Sequence, residues 1–422
     1  MSKGIFLSAV LAFALVFAAK AQDDSVHYDL GRVLVNKSAT QTTSISGSDL
    51  EKYQASNLSD AVNVWLYGTY STSSSIIYVI DGNIISDVNA YSIFDIEEIT
   101  LVQTSVAQVS GASPGQQMVL IKTRNHRPGK KGIEFNGQSS LVNLRNKANS
   151  ANRNSSNNVY SQYYVAAYRN FKKGDIGASA EYQHDVDPSL TGSGLDLLVP
   201  SNYNRLKLNA FANAKLWKGT TLVFGTSFVP QVNNSAYTLD TLIGSPAKNE
   251  NSYAMSHVSQ HLFNANINIK SDIAKGLANR FSVAYNHYNY FEQDTTNMLA
   301  SPNDTVGRSR AIDRSHNLLI RDYLYYHGQA GNFDIESTVN FTYRNFEDSL
   351  DYRSATLYAD GANPSALFTL FRHSDVSYKG RMLSPSFNIY YKEIFDMQGG
   401  FVSLLNMPKE AAPGESPANH IF

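Results

Sequence analysis

His257 and His261 are four residues apart, a spacing that on a helix puts two imidazoles on one face and invites a metal. No Glu follows the first, so the zinc-protease arrangement, with a general base beside the ion, is absent. The other histidines are scattered through aromatic-rich sequence and read as wall or loop residues. Asp185 and Asp187, and the acids of 348–351, could bind a cation, but they fall near expected strand ends, where a solvated turn explains them. Cys is absent, which removes thiol nucleophiles, disulfides and Cys-ligated metal. No P-loop, dinucleotide fingerprint or G-x-S-x-G elbow occurs. The residues that could do chemistry are not arranged for it. The expectation is a chain with no catalytic residues, no metal, no cofactor and no enzyme activity.

What the chain has instead is organisation. Residues 1–21 read as a signal peptide, with Lys3 in the basic region, an apolar run, and Ala19-Lys20-Ala21 as the cleavage site. A net charge of −1 gives nothing to attract nucleic acid. No later window is long and uncharged enough for a transmembrane helix. Tyr (26) and Phe (21) are instead abundant, as a membrane β-barrel requires.

From residue 132 the chain alternates with a period of two. Leu206, Leu208, Ala210, Ala212, Ala214 and Leu216 point one way, and Lys207, Asn209, Asn213 and Lys215 the other. Phe263, Ala265, Ile267 and Ile269 oppose Asn264, Asn266, Asn268 and Lys270. Ile335, Val339 and Phe341 oppose Glu336, Thr338 and Asn340. Further strands are expected over 133–144, 159–171, 175–184, 221–229, 280–291, 317–327 and 384–392. Many exceed the usual five or six residues of a soluble strand, which favours lipid over a sandwich partner. Tyrosines such as Tyr163, Tyr164, Tyr288, Tyr290, Tyr325, Tyr326, Tyr390 and Tyr391 would form an interfacial girdle, and inward Asn, Lys, Glu and Arg would line a watery lumen. Residues 192–194 and 233–252 read as long loops.

Upstream lies a compact α+β unit. Runs at 76–80, 99–102 and 118–123 are β-rich, with turns at Asp81-Gly82 and 111–115 and a turn-like segment around 93–98. Ser48 is the expected cap of a first helix, with Glu51 at the capping-box position; Asn57 caps a second, with Leu58, Ala61, Val62 and Trp65 on one face. Between the halves, 126–131 (HRPGKK) reads as a solvated linker.

In order, YVIDG (78–82), DIEEITLVQ (95–103) and GASPGQQMVLIKT (111–123) resemble the plug domain of TonB-dependent outer-membrane receptors, and YVIDG is most similar to the SusC-like branch. The resemblance covers about residues 29–135, with Tyr78, Asp81, Gly82, Gly111 and Gly115 as plug-motif residues. Ser110-Gly111-Ala112 replaces the family's aromatic-Gly-Ser, and Leu66-Tyr67-Gly68 stands where the family has Arg-Gly. Asp29, Leu30, Val33, Leu34 and Val35 loosely match the TonB box, a segment that adds a strand to the periplasmic energy transducer TonB; the alternative is that 33–35 is the first strand of the plug. The resemblance implies an outer-membrane location, TonB and outer-membrane lipid as partners, a SusD-like surface lipoprotein, and an unidentified nutrient ligand.

The expected fold class is therefore an α+β plug followed by an antiparallel transmembrane β-barrel, partial at roughly ten to twelve strands. The expected divisions are 1–21 signal peptide, 22–43 extension, 44–126 plug, 127–132 linker, 133–407 wall and 408–422 irregular tail. Family barrels use about 22 strands, so the sequence reads as a truncated receptor. The rival reading is a non-transporting outer-membrane barrel serving adhesion, secretion or scaffolding. A soluble periplasmic β protein is a third.

Overall fold

The computed structural model describes residues 27–404 apart from 31–33, 38–40, 54, 70–75, 86, 103–115, 125–130, 146–154, 190–198, 244–247, 299–304, 361–362, 392–394 and 401–402. The signal peptide, the Pro-rich tail, most of the linker, 192–194, Val33, Gly111 and Gly115 lie outside the described residues.

Two sheets divide the chain. The first has five strands in the order β3-β6-β7-β4-β5: β3 (Thr42–Ser46), β4 (Ile76–Ile80), β5 (Asn83–Ile85), β6 (Ile96–Val102) and β7 (Gln117–Thr123). β4 and β7 are parallel and the other neighbours antiparallel. Their apolar runs are nearly continuous because both faces are covered. Tyr78 and Ile80 of β4, Ile99 of β6, and Val119 and Ile121 of β7 pack against α2 (Leu58–Tyr67) and α1 (Gly47–Leu50). Val79, Val102 and Met118 face the other way and bury Leu30. Asn57 caps α2 by accepting from the Asp60 N–H at 2.9 Å, and Gly68 ends it in the left-handed region at φ 70°. The cap of α1 is Ser46 rather than Ser48, because β3 runs straight into the helix and its last residue already faces the Asp49 N–H at 3.2 Å.

Gly47 lies where β3 meets α1, and a Cβ there would run into the Ile96 carbonyl oxygen. That carbonyl is held by the Arg124 Nε at 2.7 Å and cannot retreat freely. Gly47→Ala is therefore expected to destabilise the plug by about 1–3 kcal/mol, read as a lower denaturation midpoint at unchanged slope.

The N-terminal segment forms a separate hairpin, β1 (His27–Asp29) with β2 (Leu34–Asn36). Residues 34–36 thus pair with β1 and not with the five-stranded sheet, and Val33 lies outside the described residues. Leu30, just past β1, is fully buried on the sheet, so the segment closes the face that the helices leave open.

The second sheet is an antiparallel meander, β8 (Lys131–Arg145), β9 (Ser155–Phe171), β10 (Gly174–Ser189), β11 (Val199–Trp217), β12 (Thr220–Ile243), β13 (Lys248–Ala274), β14 (Leu277–Met298), β15 (Thr305–Ala330), β16 (Phe333–Asp360), β17 (Asn363–Tyr391) and β18 (Phe395–Gly400), with β19 (Ser403–Leu404) also on β17. The twelve strands are the partial wall the alternation predicts. Among the described residues, β8 and β18 are the ends of the path. At one end of the wall the strands reverse through two-residue turns at 172–173, 218–219, 275–276 and 331–332. Each of the last three carries a glycine at positive φ.

The strands run longer than the alternation predicts. Residues 233–252 belong mostly to β12 and β13 rather than to a loop. Beyond the apolar stretch polar and apolar residues no longer alternate strictly, so pairing continues where the period-two signal stops. The tyrosine girdle also needs correction: neighbours along a strand face opposite ways, and Tyr164 turns inward to be buried while Tyr163 is exposed.

Candidate functional site: the seam between plug and wall

The inward faces of seven wall strands, β9 to β15, touch the plug, and their polar residues are seated on it rather than in water. Two short 3-10 turns of the plug, Val88–Ala90 and Ile93–Asp95, supply most of the contact. Each is capped by the side chain before it, Asp87 onto the Asn89 N–H and Ser92 onto the Phe94 N–H, and this fixes the backbone from which Asp87 and Asp95 project.

Asp95 accepts from three strands at once: the Tyr164 hydroxyl at 2.6 Å, the Ser179 hydroxyl at 2.7 Å and the Asn209 amide at 2.9 Å. It is 8% exposed, so these donors replace its water. Its backbone carbonyl accepts from the Arg124 N–H at 2.7 Å, which ties the same turn to the end of β7.

Lys207 and Glu181 form an ion pair at 2.7 Å with both side chains fully buried. Ser92 donates to the same carboxylate, and Lys207 reaches the Tyr91 carbonyl at 3.4 Å. Asp87 pairs with Arg205 at 3.2 Å. Beside them Ala90 packs on Val229 and Leu262, with Tyr91 and Tyr288 against the cluster. Burial pushes the Tyr91 phenol well above its usual range, and the nearby Asp81 charge pushes the same way.

The YVIDG stretch makes the second anchorage. Asp81 and Gly82 are both at positive φ, 48° and 82°, the backbone of a tight turn between β4 and β5. The Asp81 carboxylate accepts from the Thr123 N–H at 3.0 Å and its hydroxyl at 2.5 Å, locking the end of β7. From the wall, Arg321 donates to the Gly82 carbonyl at 2.5 Å and to the Asn83 Oδ1 at 2.6 Å. Tyr78 stays in the plug core, where burial pushes its phenol up to about 12. Arg321→Ala is expected to release this turn at a cost of about 2–3 kcal/mol, seen as earlier unfolding of the plug than of the wall.

Of the expected site residues, Tyr78, Asp81 and Gly82 share one corner of the plug. Asp29 pairs with Leu34 and Val35 with Tyr28, away from the seam. The seam residues Asp87, Asp95, Glu181, Arg205 and Arg321 were not singled out by sequence; the inward charge in the middle of the β11 alternation, Lys207, is the one signal pointing to them.

No protein-family model and no curated protein sequence matches the chain. Solved structures do. A structure of the RagAB peptide importer matches at TM-score 0.64 and 13% identity, over 87% of this chain and 56% of that one. The outer membrane transporter YddB from Escherichia coli matches at 0.62 and 10%, over 86% and 56%. The siderophore receptor PiuA from Acinetobacter baumannii matches at 0.56 and 12%, over 93% and 62%. The fold is that of the plug and wall of TonB-dependent receptors. The chain spans a little over half the length of the first of these structures.

Proposed function

We propose that the chain is the gate and part of the barrel wall of a TonB-dependent outer-membrane receptor that takes up a nutrient ligand. The observation that carries this is the seam: a folded plug held inside a wall by ion pairs and hydrogen bonds that can be exchanged for water, rather than by a continuous apolar core. Such a plug is stable at rest and can be displaced by a pull.

The outward face supports a membrane setting. Exposed Phe, Ile, Leu and Tyr lie near the two-residue turns on several strands, for example Ile176 on β10, Ile267 and Ile273 on β13 or Phe333 and Phe341 on β16. Ten tilted residues rise about 24 Å, the height of a bilayer core. The short turns would then face the periplasm and the long strand extensions the outside.

The β1–β2 hairpin is where a pull would enter. A partner strand from TonB would extend or replace the pairing of β2, and withdrawal of Leu30 would expose Val79, Val102 and Met118 on the open face of the plug sheet. No bond is made or broken in this cycle. A SusD-type lipoprotein partner is proposed on the likeness to RagAB; siderophore and peptide transporters both occur among the similar folds, and the ligand stays unassigned.

Val35→Pro tests the partner, since proline removes the N–H a paired strand must donate. Purified TonB C-terminal domain is expected to bind the full chain and to lose at least about tenfold in affinity with this variant. Equal binding by both proteins would remove 29–36 from the mechanism.

A further inference from the structure

Behind the outward apolar belt that includes Phe228 and Ile267, the inward face of the wall differs between sectors. On β10 and β11 the plug meets charge, with Glu181, Lys207 and Arg205 in its seats. On β12 to β14 two adjacent rows face it with Gly225, Asn266 and Ala284, and with Ser227, Asn264 and Asn286. None of these six carries a charge. Opposite them the plug presents Asn83 and Tyr91, and the gap between holds about 220 Å³ of space that no atom fills, part of it open to solvent. One row further from the two-residue turns, Val229 and Leu262 pack on Ala90 with Tyr288 beside them. One row nearer, Ser282 stands opposite Arg321, which grips the plug at Gly82 and Asn83. The gap is a chamber between an apolar contact and a polar latch.

The amides around it are already oriented. Asn83 is 3% exposed, and its Oδ1 accepts from Arg321 at 2.6 Å, which turns its N–H₂ the other way. That N–H₂ meets no acceptor among the described residues. A buried amide donor left so is destabilising, and a group from outside the chain that accepts there removes the penalty. Across the chamber Asn264 gives its own N–H₂ to Ser227 at 3.0 Å and keeps its Oδ1 as an acceptor. Gly225 leaves room for the neighbouring amide, since a Cβ there would come within 2.6 Å of Asn266 Oδ1.

We infer that this chamber binds an uncharged group of a solute, one that accepts from the Asn83 N–H₂ and donates to the wall amides, as an amide or a hydroxyl does. An ion would enter without a counter-charge, because no charged side chain lines the chamber and the Arg321 guanidinium is directed at plug oxygens. The space suits one small group of a ligand rather than a whole chain. The assignment rests on the transport reading and deepens it. It makes β12 to β14 the sector along which an uncharged polar ligand passes once the plug is displaced, while the charged seats on β10 and β11 hold. A water molecule also satisfies Asn83, so the test must separate a binding site from a wet gap.

The chain contains no Cys, so Ala284→Cys puts a single thiol in the chamber. In the full chain in lipid nanodiscs it is alkylated with iodoacetamide, 2-iodoethanol, iodoacetate and 1-iodopropane, reagents of similar size carrying an amide, a hydroxyl, a carboxylate and no polar group. Each rate is divided by that at Lys218→Cys, on an exposed turn. Iodoacetamide or iodoethanol is expected to lead both others by at least about tenfold, the gain from meeting a stranded buried donor. Which of the two leads tells a peptide-like group from a sugar-like one. Adding Asn83→Leu removes the donor and should cancel the lead over iodopropane. Ile85→Cys, on the plug side of the same chamber, carries the test if Ala284→Cys loses the parent's resistance to proteolysis. Equal rates for all four reagents would mean a wet gap and no site. A lead for iodoacetate or iodopropane, or no labelling while Lys218→Cys reacts, would overturn the assignment as well. The transport reading fails separately: a chain that shows the preference but does not bind TonB keeps the site and loses the transport role.

Discussion

Lys207→Ala is expected to loosen the plug by about 3–5 kcal/mol, because it leaves the Glu181 carboxylate buried without its cation. The Ser92 hydroxyl alone does not replace an ammonium 2.7 Å away. The lesion belongs to the pair and not to either residue. Lys207→Met combined with Glu181→Leu removes both charges and should recover most of the loss, since a well-packed apolar pair often matches a buried ion pair. Limited proteolysis separates the outcomes: the single variant should be cut within the plug while the wall stays intact, and the double variant should resist as the parent does. Equal resistance of all three proteins would mean that the pair does not seat the plug.

Asp95→Ala should cost about as much by a different route. Three donors from β9, β10 and β11 converge on this carboxylate, and truncation strands all of them at a site closed to solvent. Hydrogen bonds to a charged acceptor contribute about 1.5–3 kcal/mol each, and the three share one partner, so the expected total is about 3–5 kcal/mol rather than their sum. Asp95→Asn should recover part of this, because its Oδ1 can accept from Ser179 and Asn209 while its N–H₂ donates to the Tyr164 hydroxyl, but the bonds lose their charge assistance. The readout is the thermal midpoint of plug unfolding, with the wall transition as an internal reference. A shift confined to the wall would contradict the assignment of Asp95 as an anchor.

How far the sequence discloses this arrangement depends on the periodicity each part leaves. In the wall, Leu208 outward and Lys207 inward differ so much in polarity that face and register are legible residue by residue. The strand extensions above the belt are not, because Asn233, Asn234 and Ser235 put polar side chains on both faces and look like loop. In the plug, Asp81-Gly82 is legible since a tight turn with both residues at positive φ favours that pair. Asp87 and Asp95 look like ordinary turn acids, and only the approach of Arg205 and Tyr164, more than sixty positions away in the chain, makes them anchors. Several polar residues expected to line water are instead seated on the plug, as Glu181, Lys207 and Arg321 are. Alternation tells which way a side chain points but not what it meets there.

The central claim is that the plug is seated within the wall by the seam around Ser92, Asp95, Glu181 and Lys207. Hydrogen–deuterium exchange of the full chain in lipid nanodiscs tests it most directly. The amides of 92–96 are predicted to exchange as slowly as those of β10 and β11, and to become fast in Lys207→Ala while the strands stay protected. Rapid exchange at 92–96 in the parent protein, with β10 and β11 still slow, would show that the plug is not seated there.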